Sequence, residues 1–106
     1  MSSLEAARAA TLMQEYIETK LREPITLREL SSAAGYSPWH AARLFKEATG
    51  LSPFDYIRSR RLTKAALLLR DGDERVIDVA LDFVFDSHEG FTRAFSREFG
   101  IAPKRY

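Results

Sequence analysis

The chain has 106 residues, 45% of them hydrophobic, 11% aromatic and 29% charged, a balance that excludes a disordered polypeptide. A chain of this length forms one domain or two very small ones and leaves little room for a deep substrate cavity. Because the chain has no cysteine, disulfides, thiol nucleophiles and zinc-finger sites are excluded. The net charge of +1, taken as a total, argues against a nucleic-acid-binding protein, which usually carries a basic excess.

Prolines and glycines divide the chain into short helical segments. Proline is favoured in the first turn of a helix, and glycine is favoured just past the last turn. The residues that begin apolar-periodic segments are Pro24, Pro38, Pro53 and Pro103, and those that close them are Gly35, Gly50, Gly72 and Gly100. We therefore predict an all-α fold of about seven helices, which form two helix-turn-helix subdomains joined by a long linker helix.

In chain order, the first predicted helix covers residues 4–22, and the second follows Thr26 and ends near residue 34. Thr26 and Glu29 form a T-x-x-E pattern that predicts a capping box. The third helix covers 38–49 after a Ser37 cap, and the fourth covers 53 to about 70 after Ser52. The predicted buried positions of these helices are Met13, Ile17, Leu21; Leu27, Leu30, Ser31, Ala34; Ala41, Leu44, Phe45, Ala48; and Phe54, Ile57, Leu62, Ala65, Leu69.

The fifth predicted helix begins at an Asp73 cap and ends near residue 83. The sixth covers about 87–99, with Asp86 or Ser87 as its cap. Glu89 stands three residues after Asp86, which favours a capping box that starts at Asp86. A further start signal follows at Ala102-Pro103.

The chain repeats itself with an offset of about fifty residues. Five of the nineteen positions from 38 to 56 are identical at this offset, where ordinary composition predicts roughly one. The identical pairs are Arg43 with Arg93, Phe45 with Phe95, Gly50 with Gly100, Pro53 with Pro103, and Tyr56 with Tyr106. Each copy is a short helix, a turn and a longer helix, which is the pattern of a helix-turn-helix. The repetition alone leaves open a duplicated helical hairpin with a structural or partner-binding role.

The outward face of the third helix carries groups suited to DNA. Arg43 can donate two hydrogen bonds to guanine O6 and N7, and its recurrence at Arg93 argues against a merely solvated arginine. Trp39 can pack on sugar, phosphate or a thymine methyl, or it can be a partly buried structural tryptophan. On the sixth helix, the Glu89 carboxylate can accept a hydrogen bond from cytosine N4, but we favour a helix-capping role for it. We interpret His88 as a phosphate contact or an ordinary surface residue rather than a metal ligand.

Charge is unevenly distributed along the chain. Residues 35–65 carry six positive and two negative side chains, a net +4, and residues 84–106 carry four and three, a net +1. The sums are −1 for residues 1–34 and −3 for residues 66–83. A basic stripe of Arg58, Arg60, Arg61 and Lys64 suits phosphates or an acidic partner. We expect the first helix-turn-helix to supply most of the electrostatic attraction to DNA.

Several motifs resemble those of AraC/XylS-type transcription regulators, from about residue 10 to residue 106. Residues 35–40, 43–46 and 49–53 (GYSPWH, RLFK and TGLSP) look like the family's first helix-turn-helix. Its second helix-turn-helix is resembled by four segments, DVA (78–80), FDS (85–87), FTRAF (91–95) and FGIAP (99–103). The start of its linker helix is resembled by residues 56–58 and 61–62. The resemblance implies a bacterial activator or repressor that reads two major-groove segments about one helical turn apart.

The resemblance also implies which side chains meet DNA. By this resemblance the base-facing residues are Trp39, Ala42, Arg43, Glu89, Gly90 and Arg93. Apart from the resemblance, the residues that we expect to face phosphates are His40, Lys46, Arg58, Arg61, His88, Thr92, Ser96 and Arg97. Ala42 and Gly90 are small, which reduces direct readout at those positions, and the acidic Glu89 weakens the second engagement. The family usually has glycine where Val84 stands, and we expect a positive φ there.

The expected organisation is a first subdomain at 1–52, a linker helix at 53–70 and a second subdomain at 71–106. Double-stranded DNA is the expected partner, with RNA polymerase as a second candidate and an effector ligand only if a further domain follows Tyr106. No catalytic motif, cofactor site or metal site is recognisable, so we expect no enzyme. Because neither a signal-peptide core nor a membrane span is present, we expect a cytoplasmic, nucleoid-associated protein. The alternative function is a helical protein-interaction module that binds an acidic partner.

Overall fold

A computed structural model describes residues 3–106, apart from the side chain of Arg105. The described chain is all-helical, as the sequence predicts. Its elements are α1 (Ser3–Thr19), α2 (Leu27–Ala34), α3 (Pro38–Thr49), α4 (Pro53–Asp71), α5 (Val76–Asp82), α6 (His88–Phe99) and a 3₁₀ turn (Pro103–Arg105). The seventh start signal therefore produces a single 3₁₀ turn rather than an α-helix. None of the described helices is long and apolar enough to cross a membrane.

The chain divides into two compact units, of which the first ends at Ile57. In this unit α1 packs against both α2 and α3. The apolar stripe of α1 is buried as its 3.6-residue period predicts, with Met13 and Ile17 fully enclosed. The other buried apolar residues of this unit are Ala6, Ala9, Ala10, Leu21, Ile25, Leu30, Ala41, Leu44, Phe45 and Ile57.

The predicted capping box of α2 is present. The Thr26 hydroxyl accepts a hydrogen bond from the Glu29 N–H at 3.2 Å, and the Glu29 carboxylate accepts one from the Thr26 N–H at 3.2 Å. The same carboxylate accepts a hydrogen bond from the Tyr16 hydroxyl, which joins α1 to the start of α2. This bond from Tyr16, with a second from Thr26, holds the pKa of Glu29 below its ordinary value. The capping box thus also fixes the position of α2 on α1.

The second unit, Arg58–Tyr106, is built around aromatic rings. Phe91 and Phe95 are fully buried on α6, with their ring centroids 5.7 Å apart. Phe85 packs edge-on against Phe91 at 5.0 Å, and Tyr106 packs edge-on against Phe95 at 5.5 Å. Each such pair contributes about 0.5–1.5 kcal/mol beyond the area that it buries. The other buried apolar residues of this unit are Leu62, Ala65, Ala66, Val79, Ala80 and Phe83.

One predicted helix cap in this unit is wrong, and of the two caps predicted for α6 the less favoured one is used. The N-cap position of α5 is Arg75, which makes no side-chain cap and instead pairs with Asp78 at 3.0 Å, so Asp73 is not the cap. The N-cap of α6 is Ser87, whose hydroxyl accepts a hydrogen bond from the Gly90 N–H at 3.0 Å. With the cap at Ser87, the third helical residue is Gly90. The predicted capping box of Asp86 and Glu89 therefore does not form.

Two predicted buried positions are also wrong. Phe54 is 47% exposed, because the buried stripe of α4 begins at Pro53 and continues four residues later at Ile57. Ala48 is exposed because the inward face of α3 runs through Phe45 to the half-buried Thr49. Leu27, Ala34 and Leu69 are half-buried rather than fully buried, and the first helix ends at Thr19, before residue 22. The remaining predicted core positions are buried.

The turn between α5 and α6 contains the one non-glycine residue with positive φ in the described chain. Val84 has φ +67°, and its counterpart Gly35 in the first turn has φ +81°. A left-handed conformation costs an L-residue about 1–2 kcal/mol, and a β-branched side chain is among the least suited to it. The expectation drawn from the sequence at Val84 is therefore confirmed, and the second turn carries backbone strain that the first lacks.

We predict that Val84→Gly raises the melting temperature. Relief of the strain outweighs the extra chain entropy of glycine, which is about 0.5–1 kcal/mol, so the net gain is about 1 kcal/mol, or several degrees. Thermal unfolding followed by circular dichroism measures this shift. Gly35→Val is the matched control and should lower the melting temperature. An unchanged or lower value for Val84→Gly would contradict the assignment of strain to this turn.

Candidate nucleic-acid interface

The outer face of α3 presents an aromatic ring and a guanidinium group in contact. Trp39 is 68% exposed, so it is not a buried structural tryptophan. The Cζ atom of Arg43, one helical turn further on, lies 4.9 Å from the centroid of the Trp39 ring. That distance is within the range of a cation–π interaction, and i,i+4 spacing on a helix produces it. Two of the predicted base-facing residues, Trp39 and Arg43, are therefore in contact on the same face of α3.

A shallow cleft of about 480 Å³ runs beside this pair. Its lining residues are Trp39, Ala42, Arg43, Lys46, Glu47, Ser52 and Pro53. The structure thus brings together three predicted base-facing residues and the predicted phosphate-facing Lys46 at the start of α4. His40 lies to one side, where its ring packs edge-on against Tyr36 at 4.9 Å.

The orientation of α3 follows from the turn before it. Gly35 takes the left-handed conformation, and its N–H donates to the Ser31 carbonyl at 2.8 Å. Ser37 then caps α3, with its hydroxyl accepting from the His40 N–H at 3.3 Å. The Tyr36 hydroxyl donates to the Glu5 carboxylate at 3.0 Å and so ties the turn to α1. This bond to Glu5 and, after it, burial raise the pKa of the Tyr36 hydroxyl.

On α6, Arg93 occupies the place that Arg43 has on α3, but its neighbours differ. Glu89, an exposed acidic residue, stands at the position equivalent to Trp39. Arg93 instead lies over Gly90, since a Cβ built on Gly90 would stand 4.0 Å from the Nη2 atom of Arg93 and 3.1 Å from the Ser87 hydroxyl oxygen. A side chain at Gly90 would therefore crowd the Ser87 hydroxyl that caps the helix, whereas it would meet the Arg93 guanidinium only at ordinary contact distance.

A second cleft, of about 330 Å³, lies at the N-terminus of α6. It is lined by Arg58, Phe85, Asp86, Ser87, Gly90, Arg93, Ala94 and Arg97. Three guanidinium groups and the positive end of a 12-residue helix lie at this cleft, and Asp86 is the acidic residue among those that line it. Arginine and helix N-termini are the groups that proteins use to hold phosphate. This arginine cleft is thus chemically suited to an anion.

The other predicted phosphate-facing residues do not line either cleft. Arg61 is half-buried on α4, and burial lowers the pKa of its guanidinium, which remains protonated at every physiological pH. Thr92 and Ser96 are half-buried on α6, and His88 is exposed at its first position. The described residues contain no group of three side chains that could hold a metal ion.

The position of Arg58 changes the expected distribution of charge. The basic stretch 58–64 belongs to the second unit, and Arg58 lines the arginine cleft. Divided at Ile57, the first unit carries six positive and seven negative side chains, and the second carries ten and eight. The expectation that the first helix-turn-helix supplies most of the electrostatic attraction is therefore not supported. It rested on assigning residues 58–64 to the first segment.

Comparison with known proteins places this architecture. Residues 30–106 match the family described as a helix-turn-helix domain. The chain is 43% identical over 91 residues to the right origin-binding protein of Escherichia coli, an alignment that covers 86% of this chain and 32% of that protein. It is 38% identical over 92 residues to the multiple antibiotic resistance protein MarA of Salmonella typhimurium, with 87% and 72% covered.

Solved structures agree. A transcriptional regulator from Chromobacterium violaceum, described as having an AraC-type DNA-binding domain, superposes with a TM-score of 0.87 at 26% identity, covering 92% of this chain and 87% of that one. The DNA-binding domain of the global transcriptional factor AdpA, solved with a target DNA, gives 0.82 at 27% identity, covering 93% and 88%. The chain belongs to the AraC/XylS family of helix-turn-helix domains.

This chain spans about a third of the length of the first curated relatives that it matches. What it shares with these AraC/XylS proteins is the pair of helix-turn-helix units, with α2 and α3 in the first and α5 and α6 in the second. The family is one of transcription regulators rather than of enzymes. The fold and the family predicted from the sequence are thereby confirmed.

One functional residue could have been placed better from sequence. At the fifty-residue offset, Ser37 aligns with Ser87, so the repeat itself predicts that Ser87 caps α6. The local capping-box pattern favours Asp86 with Glu89 because it compares only residues one helical turn apart. No sequence pattern predicts that Arg58 lies beside the start of α6. Arg58 is 29 positions from Ser87, and only tertiary packing brings the two residues together.

We predict that Ser87→Ala destabilises the protein by about 1 kcal/mol, because the Gly90 N–H at the start of α6 loses its partner. Chemical denaturation measures the free energy of unfolding. Asp86→Ala is the control and should change that free energy much less, because Asp86 lies outside the helix cap. Equal effects of the two substitutions would show that the cap is assigned wrongly.

Proposed function

We propose that this chain binds double-stranded DNA sequence-specifically, as the DNA-binding domain of a bacterial transcription regulator. In this proposal α3 and α6 each enter the major groove. The observation that carries it is the exposed Trp39–Arg43 pair on the outer face of a helix held by a tight turn, with a second exposed arginine, Arg93, at the repeat position. The regulators among the relatives, and the AdpA domain solved with its target DNA, support the same function.

In this proposal α3 and α6 contact bases and phosphates through different sets of residues. On α3, Trp39, Ala42 and Arg43 face bases, while Lys46 and His40 lie toward the backbone. On α6, Gly90 and Arg93 face bases with Glu89 beside them. The proposed phosphate contacts of the second unit are Arg58, Arg61, His88, Thr92, Ser96 and Arg97. The arginine cleft supports the roles of Arg58 and Arg97, because a DNA phosphate placed there meets two or three guanidinium groups.

The proposed organisation is a first helix-turn-helix at 1–52, a linker helix at 53–70 and a second helix-turn-helix at 71–106. The 19-residue α4 supports this, because the division between the two compact units falls inside it. We further propose a cytoplasmic location, no catalytic activity, and RNA polymerase as a second partner. The last of these rests on the family resemblance alone.

The proposal is tested by selecting bound sequences from random duplex DNA. A specific regulator enriches a defined site, and its affinity for that site falls steeply with salt because phosphate contacts release counterions. The competing function, a protein-interaction module with basic faces, predicts equal affinity for selected and scrambled duplexes. That result would overturn sequence-specific binding.

We predict that Arg43→Ala weakens binding to the selected site by about 1–3 kcal/mol and relaxes the preference for guanine at one position, because a bidentate donor is lost. Affinity measured on the selected site and on its single-base variants reports both effects. Arg8→Ala is the matched control, since it removes an exposed arginine from α1, away from the interface. A uniform loss on all duplexes would assign Arg43 to phosphate instead.

We predict that Arg97→Gln weakens binding to every duplex by a similar factor and lowers the slope of log K against log salt by about 0.9, because one phosphate contact is lost. Titrations at four salt concentrations measure the slope. Arg8→Gln is the control and should leave the slope unchanged. A changed base preference with an unchanged slope would remove Arg97 from the phosphate contacts.

A further inference from the structure

The two DNA-facing arginines of this chain differ in what holds them. Arg43 lies 4.9 Å from the Trp39 ring, on the same face of α3 and one turn away. Arg93 has the acidic Glu89 at the corresponding position of α6, and its guanidinium lies over Gly90 instead. The repeat therefore conserves the arginine between its two copies within this chain, but not the ring beside it.

Stacking on a ring restricts an arginine without using its hydrogen-bonding groups. The five N–H donors of a guanidinium lie in its plane, so a ring that contacts its face leaves them free. A stacked arginine can therefore still present two donors to guanine O6 and N7. An arginine side chain otherwise loses much rotamer entropy when it is ordered. At an exposed site, such an interaction favours the stacked conformation by roughly two- to fivefold.

We infer that Trp39 is a positioning residue for Arg43, and that the ring holds the guanidinium in a DNA-reading conformation before DNA arrives. This inference rests on the proposed function. It makes Trp39 a specificity-determining residue through Arg43, in addition to any contact of the ring with DNA. It also assigns the sharper guanine discrimination to the first unit, because Glu89 offers Arg93 no ring.

The first measurement uses the free protein, so it does not depend on DNA binding. Trp39 is the single tryptophan of the chain, and we expect the ring current of its indole to shift the side-chain NMR signals of Arg43. In Trp39→Leu these signals should move to the positions of a solvated arginine, whereas Trp39→Phe should retain about half of the shift. Phe54→Leu is the matched control, since it removes another exposed ring of the same unit and should leave the signals unchanged.

The second measurement is the guanine preference at the base pair that Arg43→Ala identifies. We expect Trp39→Leu to reduce this preference about two- to fivefold, Trp39→Phe to restore most of it, and Phe54→Leu to leave it unchanged. The double variant Trp39→Leu/Arg43→Ala should show the same preference at this base pair as Arg43→Ala alone. That non-additivity is what action through Arg43 requires, and a ring that reads the base by itself would not produce it.

Two results would overturn the inference while leaving the proposed function in place. One is an equal loss of affinity on all duplexes in Trp39→Leu, with the guanine preference intact. The other is Arg43 side-chain signals in the free protein that do not respond to Trp39→Leu. If the wild-type protein selects no sequence at all, the proposed function fails and the inference fails with it, and the free-protein signals then show separately whether the stacked pair exists.

Discussion

The left-handed residue in each interhelical turn is the constraint on which the rest of the structure depends. It ends the first helix of each pair and lets the chain change direction within a few residues, so that the longer helix crosses the shorter one. In the first turn Gly35 adopts φ +81° without steric cost, and in the second Val84 is forced to φ +67°. The core tolerates that strain because Phe83 and Phe91 are buried on either side of the turn. Packing thus fixes a backbone conformation that the local sequence disfavours.

The two turns also differ in length by one residue, since the left-handed residues Gly35 and Val84 lie 49 positions apart whereas the caps Ser37 and Ser87 lie 50 apart. Gly35 precedes the Ser37 cap by two residues, whereas Val84 precedes the Ser87 cap by three. The extra residue lengthens the second turn and places Asp86 before the helix rather than at its cap. The feature that α3 and α6 share is therefore an N-cap serine whose hydroxyl accepts a hydrogen bond from an N–H of the first helical turn. The side chains that each helix presents are aligned by that serine and not by the turn.

Most of the fold could be predicted from the sequence because the signals are local. Apolar periodicity, the Thr26–Glu29 capping box and glycine at helix ends each depend on residues within about one turn of one another. The predictions fail where a competing local pattern or tertiary packing decides. Asp73 is a good cap residue that the chain does not use, and Phe54 is apolar but lies beside the buried stripe. The contact of Arg43 with Trp39 and the approach of Arg58 to α6 depend on rotamers and packing, which periodicity does not encode.

The assignment of Arg58 to the second unit changes the physical picture of how a nearly neutral chain could hold DNA. The first unit has a net charge of −1 and presents an arginine over the Trp39 ring; the second has a net charge of +2 and presents a cleft with three arginines. Long-range attraction depends on charge, whereas discrimination between bases depends on oriented donors. In the proposed function, the unit whose arginine is oriented by a ring is therefore not the unit with the positive net charge. A near-zero total conceals this division, because the 15 acidic side chains nearly cancel the 16 basic ones in the sum, whichever unit each belongs to.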